Sequence, residues 1–169
     1  MLFHIFSHAY HHQYDQPKIG EIIKTSGEFN PYFRTIENSA TCPRNDVSQR
    51  DVMIHYAKML REYVFENVRC SLYPHYPSRF RCLWFAKSLE DARYWFSRIP
   101  HHGEKVILEV IPQDGAILFE AHEGYLTNNL ENAALIRLRA LAYWSGALTE
   151  AGKTEVLGEG AFKVVEVHA

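Results

Sequence analysis

The sequence is short of cysteine, of charge in excess of one sign and of long apolar runs, and each shortage removes a class of protein. Only three cysteines occur, Cys42, Cys70 and Cys82, an odd count without close pairing, so neither a disulfide framework nor a zinc knuckle is readable. Eighteen basic against 20 acidic residues give a formal charge of -2. No global positive field exists to hold a nucleic-acid backbone. No stretch approaches the ~20 apolar residues of a membrane span. The opening residues turn polar quickly and lack the basic and apolar segments of a signal peptide, so a cytoplasmic location is expected.

Other motifs are missing too. There is no Gly-x-Ser-x-Gly elbow, glycine-rich phosphate loop or dinucleotide fingerprint, which leaves hydrolase triads and a Rossmann crevice unsupported. No Pro/Gly/Ser linker or repeat divides the chain, so residues 1–169 are expected to form a single domain. His8, His11, His12 and His101, His102 cluster without a cysteine or carboxylate to complete a ligand pattern, and no metal site is expected. What the sequence has in plenty is aromatic side chains, 14% of residues, enough for a pocket as well as a core.

Apolar patterning predicts strands at both ends, 2–7 and 162–167. A helix is expected over 47–70 behind an Asp46 or Ser48 cap, with Met53, Ala57, Leu60 and Val64 as its apolar stripe. Residues 26–43, with Gly27, Pro31 and Pro43, read as a long loop. Pro74 and Pro77 force an extended approach to a strand over 81–86. Ser88 then caps a helix whose buried face is Leu89, Ala92, Trp95, Phe96 and Ile99. Strands over 105–111 and 116–120 flank Pro112-Gln-Asp-Gly115, which reads as a hairpin or tight connection. A further helix over 130–144 shows Leu130, Ala134, Leu138 and Leu141 on one side, and Gly146 near its stop. Glu155 opens a strand that turns through glycine into the last one. Strands at the ends, helices between and no regular β-α alternation indicate an α+β domain.

Three segments, in order, resemble the core of ADP-ribosyltransferases of the His-Tyr-Glu type. Leu2-Phe-His4-Ile is similar to the family's first strand, which carries a histidine. Cys82-Leu-Trp84-Phe85 followed by Arg-Tyr-Trp95-Phe96 is similar to its middle strand and following helix, each of which supplies an aromatic. Lys153-Thr-Glu155-Val-Leu-Gly-Glu-Gly resembles its late strand, opened by a glutamate. Trp84 and Trp95 stand where the pattern has tyrosines, Ala86 lies near a common serine position, and Lys153 replaces the acid or glutamine often found two residues before the glutamate.

The resemblance implies a split antiparallel or mixed β-sheet core with flanking helices, and NAD as substrate. It also implies transfer of ADP-ribose to a protein or small-molecule acceptor, or hydrolysis of NAD, with release of nicotinamide. Glu155 is then the catalytic carboxylate, accepting a bond from the ribose 2′-hydroxyl as positive charge develops on the ribose. Trp84 and Trp95 would sandwich the cationic nicotinamide ring, and His4 would hold the adenosine ribose. Arg79 and Arg81 are placed to meet the pyrophosphate, which a guanidinium fork matches. Lys153 would repel an arginine acceptor. Glu120 and Glu123 are the rivals to Glu155. Two other readings stand beside this one: a non-catalytic nucleotide- or peptide-binding module on the same scaffold, and a partner-binding protein whose tryptophans are all core.

Overall fold

The computed structural model describes residues 1–7, 15–42, 46–99, 104–127, 129–149 and 152–168. The histidine clusters at 8–12 and 101–102 lie outside the described residues. The chain runs β1 (Leu2–Ser7), β2 (Ile22–Lys24), α1 (Pro31–Thr41), α2 (Gln49–Leu72), β3 (Leu83–Phe85), α3 (Leu89–Arg98), β4 (Lys105–Pro112) and β5 (Ile117–His122). A 3-10 turn (Glu123–Tyr125), α4 (Ala133–Trp144), β6 (Thr154–Glu159) and β7 (Ala161–His168) complete it.

The strands form two sheets, ordered β1-β4-β7-β2 and β3-β6-β5, and every pairing is antiparallel. A backbone bridge, Phe3 to Ala86, links β1 to the end of β3. The result is a single α+β domain with a split antiparallel core and flanking helices. β4 and β5 do not form a hairpin. Both edges of β4 are already occupied, by β1 and β7, so the turn at Gly115 (φ +82°) carries the chain across to pair with β6.

The stretch 26–43 is not a loop. Asn30 caps α1 by accepting from the Phe33 N–H at 2.9 Å, Pro31 takes the first helical turn, where its missing N–H costs nothing, and Phe33, Ile36 and Ala40 are buried on one face. The faces of two other helices also differ from expectation. In α2, capped by Ser48, the buried side holds Arg61, Glu62, Phe65 and Val68; of the expected stripe Val64 packs against the core, while Met53 and Leu60 are exposed. In α4 it holds Ile136, Ala140, Tyr143 and Trp144; of the expected side Leu141 packs against the core, with Leu130 and Leu138 in solvent. In α3 the expected face is the buried one: Ala92 is fully enclosed, and Leu89, Trp95 and Phe96 pack with it against Ile107.

Helices α2 and α4 cover one face of the smaller sheet through Phe65, Val68, Tyr143, Trp144, Phe119 and Leu157. Its other face meets the larger sheet across Phe85, Val156, Phe162 and Leu108. Gly158 sits at this seam because a Cβ there would come within 2.7 Å of both Phe85 and Phe162. No helix among the described residues is long and apolar enough to cross a membrane.

Candidate functional site

The two sheets part beside the Phe3–Ala86 bridge, where each residue's N–H donates to the other's carbonyl at 3.0 and 2.8 Å. Two residues back along β3, the Trp84 carbonyl accepts from the His4 ring, Nδ1 to O 2.9 Å. A carbonyl only accepts, so Nδ1 carries a proton. A buried imidazole thereby satisfies a main-chain group that a continuous sheet would have paired, and the strands are free to separate.

A cavity of about 380 Å³ opens at this split, within the roughly 300–1,000 Å³ range of small-molecule sites. His4, Trp84, Trp95, Arg79 and Glu155 all line it. Arg81 does not; its side chain is exposed. Of the two rival acids, Glu123 lines the cavity, whereas Glu120 pairs with Lys87 at 2.9 Å on the surface. Lys153 turns to Asp91 at 3.1 Å.

Strand alternation decides where Glu155 points. Glu155 and Leu157 share a face of β6, and Leu157 belongs to the core under α2 and α4. Glu155 therefore projects toward the helices, opposite the small Ala121. Its Oε1 accepts from Arg79 Nη1 and from the Tyr143 hydroxyl, each at 2.6 Å. Oε2 takes no hydrogen bond among the described residues, so one oxygen is fixed by the protein and the other is left to the cavity.

Arg79 is held from all sides. Its Nε donates to Glu62 Oε2 at 2.7 Å and its Nη1 to the Tyr143 hydroxyl at 2.6 Å. Arg61 grips the same Glu62 at 2.7 Å and donates to the Thr127 carbonyl at 2.8 Å. The loop that carries Arg79 is pinned in turn: Asn30 Nδ2 donates to the Arg79 and Cys82 carbonyls at 2.9 and 3.2 Å, and Glu159 accepts from the Ser78 N–H at 2.9 Å. One asparagine thus starts α1 and sets the arginine loop.

The charges alternate, Arg61, Glu62, Arg79, Glu155. Burial pushes the Glu62 carboxyl up, but Arg79 and Arg61 outweigh it and bring it from its ordinary 4.5 down to about 2. Burial disfavours the Arg79 cation, yet Glu62, Tyr143 and Glu155 together hold it well above the usual arginine range. Burial keeps the Tyr143 phenol neutral far beyond its ordinary range and does the same for the Cys82 thiol, so Cys82 is no nucleophile. With four of its five donors engaged by protein groups, Arg79 acts on Glu155 and is not free to grip a phosphate.

The walls are aromatic. Tyr32 meets Trp84 edge-on, ring centroids 5.4 Å apart at 77°, and the Arg79 guanidinium lies 5.9 Å from the Trp84 ring centre. Trp95 Nε1 is buried without an acceptor among the described residues. Arg98 lines the cavity with its side chain 55% exposed, which makes it the cation most accessible to a ligand. Such a site, with apolar walls, a directed carboxylate and a cation at the rim, suits a planar cationic ring joined to a polar, anionic remainder.

Sequence reasoning did not find Glu62, Tyr143, Asn30, Tyr32 or Arg98. Asn30 followed by Pro31 was a readable cap signal; a glutamate and a tyrosine inside helices offered none.

The fold and site define an α+β domain with an aromatic, carboxylate-bearing cleft between its sheets. Residues 7–169 match the family described as Protein of unknown function (DUF2441), and the chain belongs to that family. No curated protein matches the chain.

Proposed function

We propose that this protein binds NAD in the cleft between its sheets and breaks the bond between nicotinamide and ribose. It passes ADP-ribose to a protein or small-molecule acceptor, or to water. One observation carries the reading: Glu155, directed by Arg79 and Tyr143, shares a single cavity with His4, Trp84 and Trp95. These are the residues that the resemblance to ADP-ribosyltransferases brings together, and they come from β1, β3, α3 and β6.

Positive charge develops on the ribose as nicotinamide leaves, and a fixed carboxylate beside it stabilises the transition state more than the ground state. Glu155 Oε2 accepts the ribose 2′-hydroxyl while Oε1 stays with Arg79. The Trp84 and Trp95 indoles orient the nicotinamide ring, which loses its charge on departure. His4, which lines the cavity, holds the adenosine ribose. Arg98, not Arg79 or Arg81, meets the pyrophosphate.

The test is nicotinamide release from NAD by the purified protein and by Glu155→Gln. The reading requires release by the wild type and a fall of about 10²–10³-fold in the variant; equal rates remove Glu155 from the mechanism. The Arg79–Glu155 ion pair favours a second reading, a non-catalytic nucleotide- or peptide-binding module, because it neutralises much of the carboxylate's charge. NAD-dependent quenching of tryptophan fluorescence without any nicotinamide release would select it.

A further inference from the structure

The cavity holds a second directed carboxylate. Glu123, in the 3-10 turn after β5, lines the same space as Glu155. Its Oε1 accepts from the Tyr94 hydroxyl of α3 at 2.7 Å and from the Lys153 N–H ahead of β6 at 2.9 Å. The Glu123 N–H returns a bond to the Lys153 carbonyl at 3.0 Å, so side chain and main chain are anchored on one residue. Gly152, at φ +89°, leaves the room this requires: a Cβ there would fall 2.5 Å from Glu123 Cγ and 2.9 Å from Oε1.

Two separate elements, α3 and the segment ahead of β6, therefore converge on one oxygen of Glu123, while Oε2 takes no hydrogen bond among the described residues. This repeats the arrangement at Glu155. The two sites differ in their surroundings. Glu155 sits against fully buried Arg79 and Tyr143. Glu123 lies beside Arg98, at 3.7 Å, whose side chain is 55% exposed, and beside the half-exposed Lys153. Glu123 is thus the cavity carboxylate that lies beside an exposed lining side chain, Arg98.

We propose that Glu123 is a second catalytic carboxylate, the general base that activates the acceptor, and that the acceptor is water or a neutral hydroxyl; this rests on the NAD-cleaving reading. The acceptor oxygen forms a bond to the ribose anomeric carbon as the bond to the nicotinamide nitrogen breaks. The electron pair of that bond leaves with neutral nicotinamide. The acceptor proton passes to Glu123 Oε2 and then to solvent. Atoms and charge balance with no further reactant. The Arg98 cation, which lines the cavity beside Glu123, disfavours a guanidinium acceptor.

The experiment compares Glu123→Gln, Glu155→Gln and wild type, each with NAD alone and with NAD plus sodium azide. A glutamine at position 123 retains an oxygen for Tyr94 and Lys153, and a thermal melt of each variant checks that the fold persists. Nicotinamide release by Glu123→Gln should fall about 10²–10⁴-fold, with NAD affinity by tryptophan fluorescence unchanged. Azide attacks without giving up a proton, so it should restore release in Glu123→Gln and yield ADP-ribosyl azide by mass spectrometry, and should leave Glu155→Gln slow. Wild-type turnover in Glu123→Gln, or a loss that azide does not repair, overturns the proposal while leaving NAD cleavage standing. No nicotinamide release by the folded wild type with any acceptor overturns the NAD reading itself, and this proposal with it.

Discussion

Arg79 places Nη1 2.6 Å from Glu155 Oε1 while its Nε lies 2.7 Å from Glu62 Oε2. A strand carboxylate and a mid-helix carboxylate are thus joined through one guanidinium, with the side chains of Arg79 and Glu62 each only 2% exposed. The ionic chain is weak evidence for stability in itself, because desolvation offsets much of the attraction. Breaking it is another matter, since that strands a charge in the interior.

Arg79→Ala should therefore destabilise the fold by about 3–5 kcal/mol, read from urea denaturation followed by tryptophan fluorescence. Arg79→Lys keeps the charge but not the fork; it should recover part of the stability and still lower kcat for NAD cleavage, because Glu155 Oε1 is left to the Tyr143 hydroxyl without the guanidinium bond. A loss under about 1 kcal/mol, the size of an ordinary surface ion pair, would show that the chain is not the buried unit described.

The same network sets an acid limit. Glu62 has its carboxyl lowered from 4.5 to about 2 in the folded protein. A depressed carboxylate contributes stability that is fully present above its unfolded value and is lost as pH falls through its folded one. The window is therefore about pH 4.5 down to 2, and the contribution is roughly 3 kcal/mol. Urea midpoints measured across that range should fall steeply for wild type and less steeply for Glu62→Gln, which starts lower at neutral pH. Parallel curves would remove Glu62 as the titrating group.

His4→Phe fills similar space but leaves the Trp84 carbonyl without its donor, a cost of about 1–3 kcal/mol for a buried acceptor. His4→Asn retains a donor and should lose less. Thermal melts of the two variants, taken with NAD binding by fluorescence, separate the structural bond from the ligand role. Identical melts for both would mean that the imidazole does not hold the split between the sheets.

Much of this architecture is legible in the residues. The Ser48 and Ser88 caps, the buried face of α3 and the glycine turn after β6 follow from spacing and local chemistry. The failures are instructive. Pro31 reads as a breaker unless Asn30 is seen as the cap before it. The buried side of α2 carries Arg61 and Glu62, so a search for apolar stripes selects the solvent side, where Met53 and Leu60 lie. The Pro112–Gly115 turn specifies a reversal, but not which strand β5 then pairs with, because that depends on distant strands filling both edges of β4. His4, Trp84, Trp95 and Glu155 were readable as residues; what ties them to one cavity, Arg79 with Tyr143 and Glu62, was not, since buried charge has no periodic signature.

Asn30 links these levels. It caps α1 and donates to two carbonyls of the loop that presents Arg79. An ordinary cap is worth about 1 kcal/mol, so Asn30→Ala should cost more, about 2–3 kcal/mol with the loop bonds included. Asn30→Asp, which keeps the cap and loses the donors, should fall between. Equal stability of Asn30→Asp and wild type, by urea denaturation, would show that the loop does not depend on Asn30.

The most direct measurement is a crystal structure of the Glu155→Gln protein with NAD. The account predicts the nicotinamide ring between Trp84 and Trp95 and the ribose 2′-hydroxyl within about 3 Å of the side chain at position 155. NAD bound elsewhere on the surface, or a cleft left empty at saturating NAD, would contradict it.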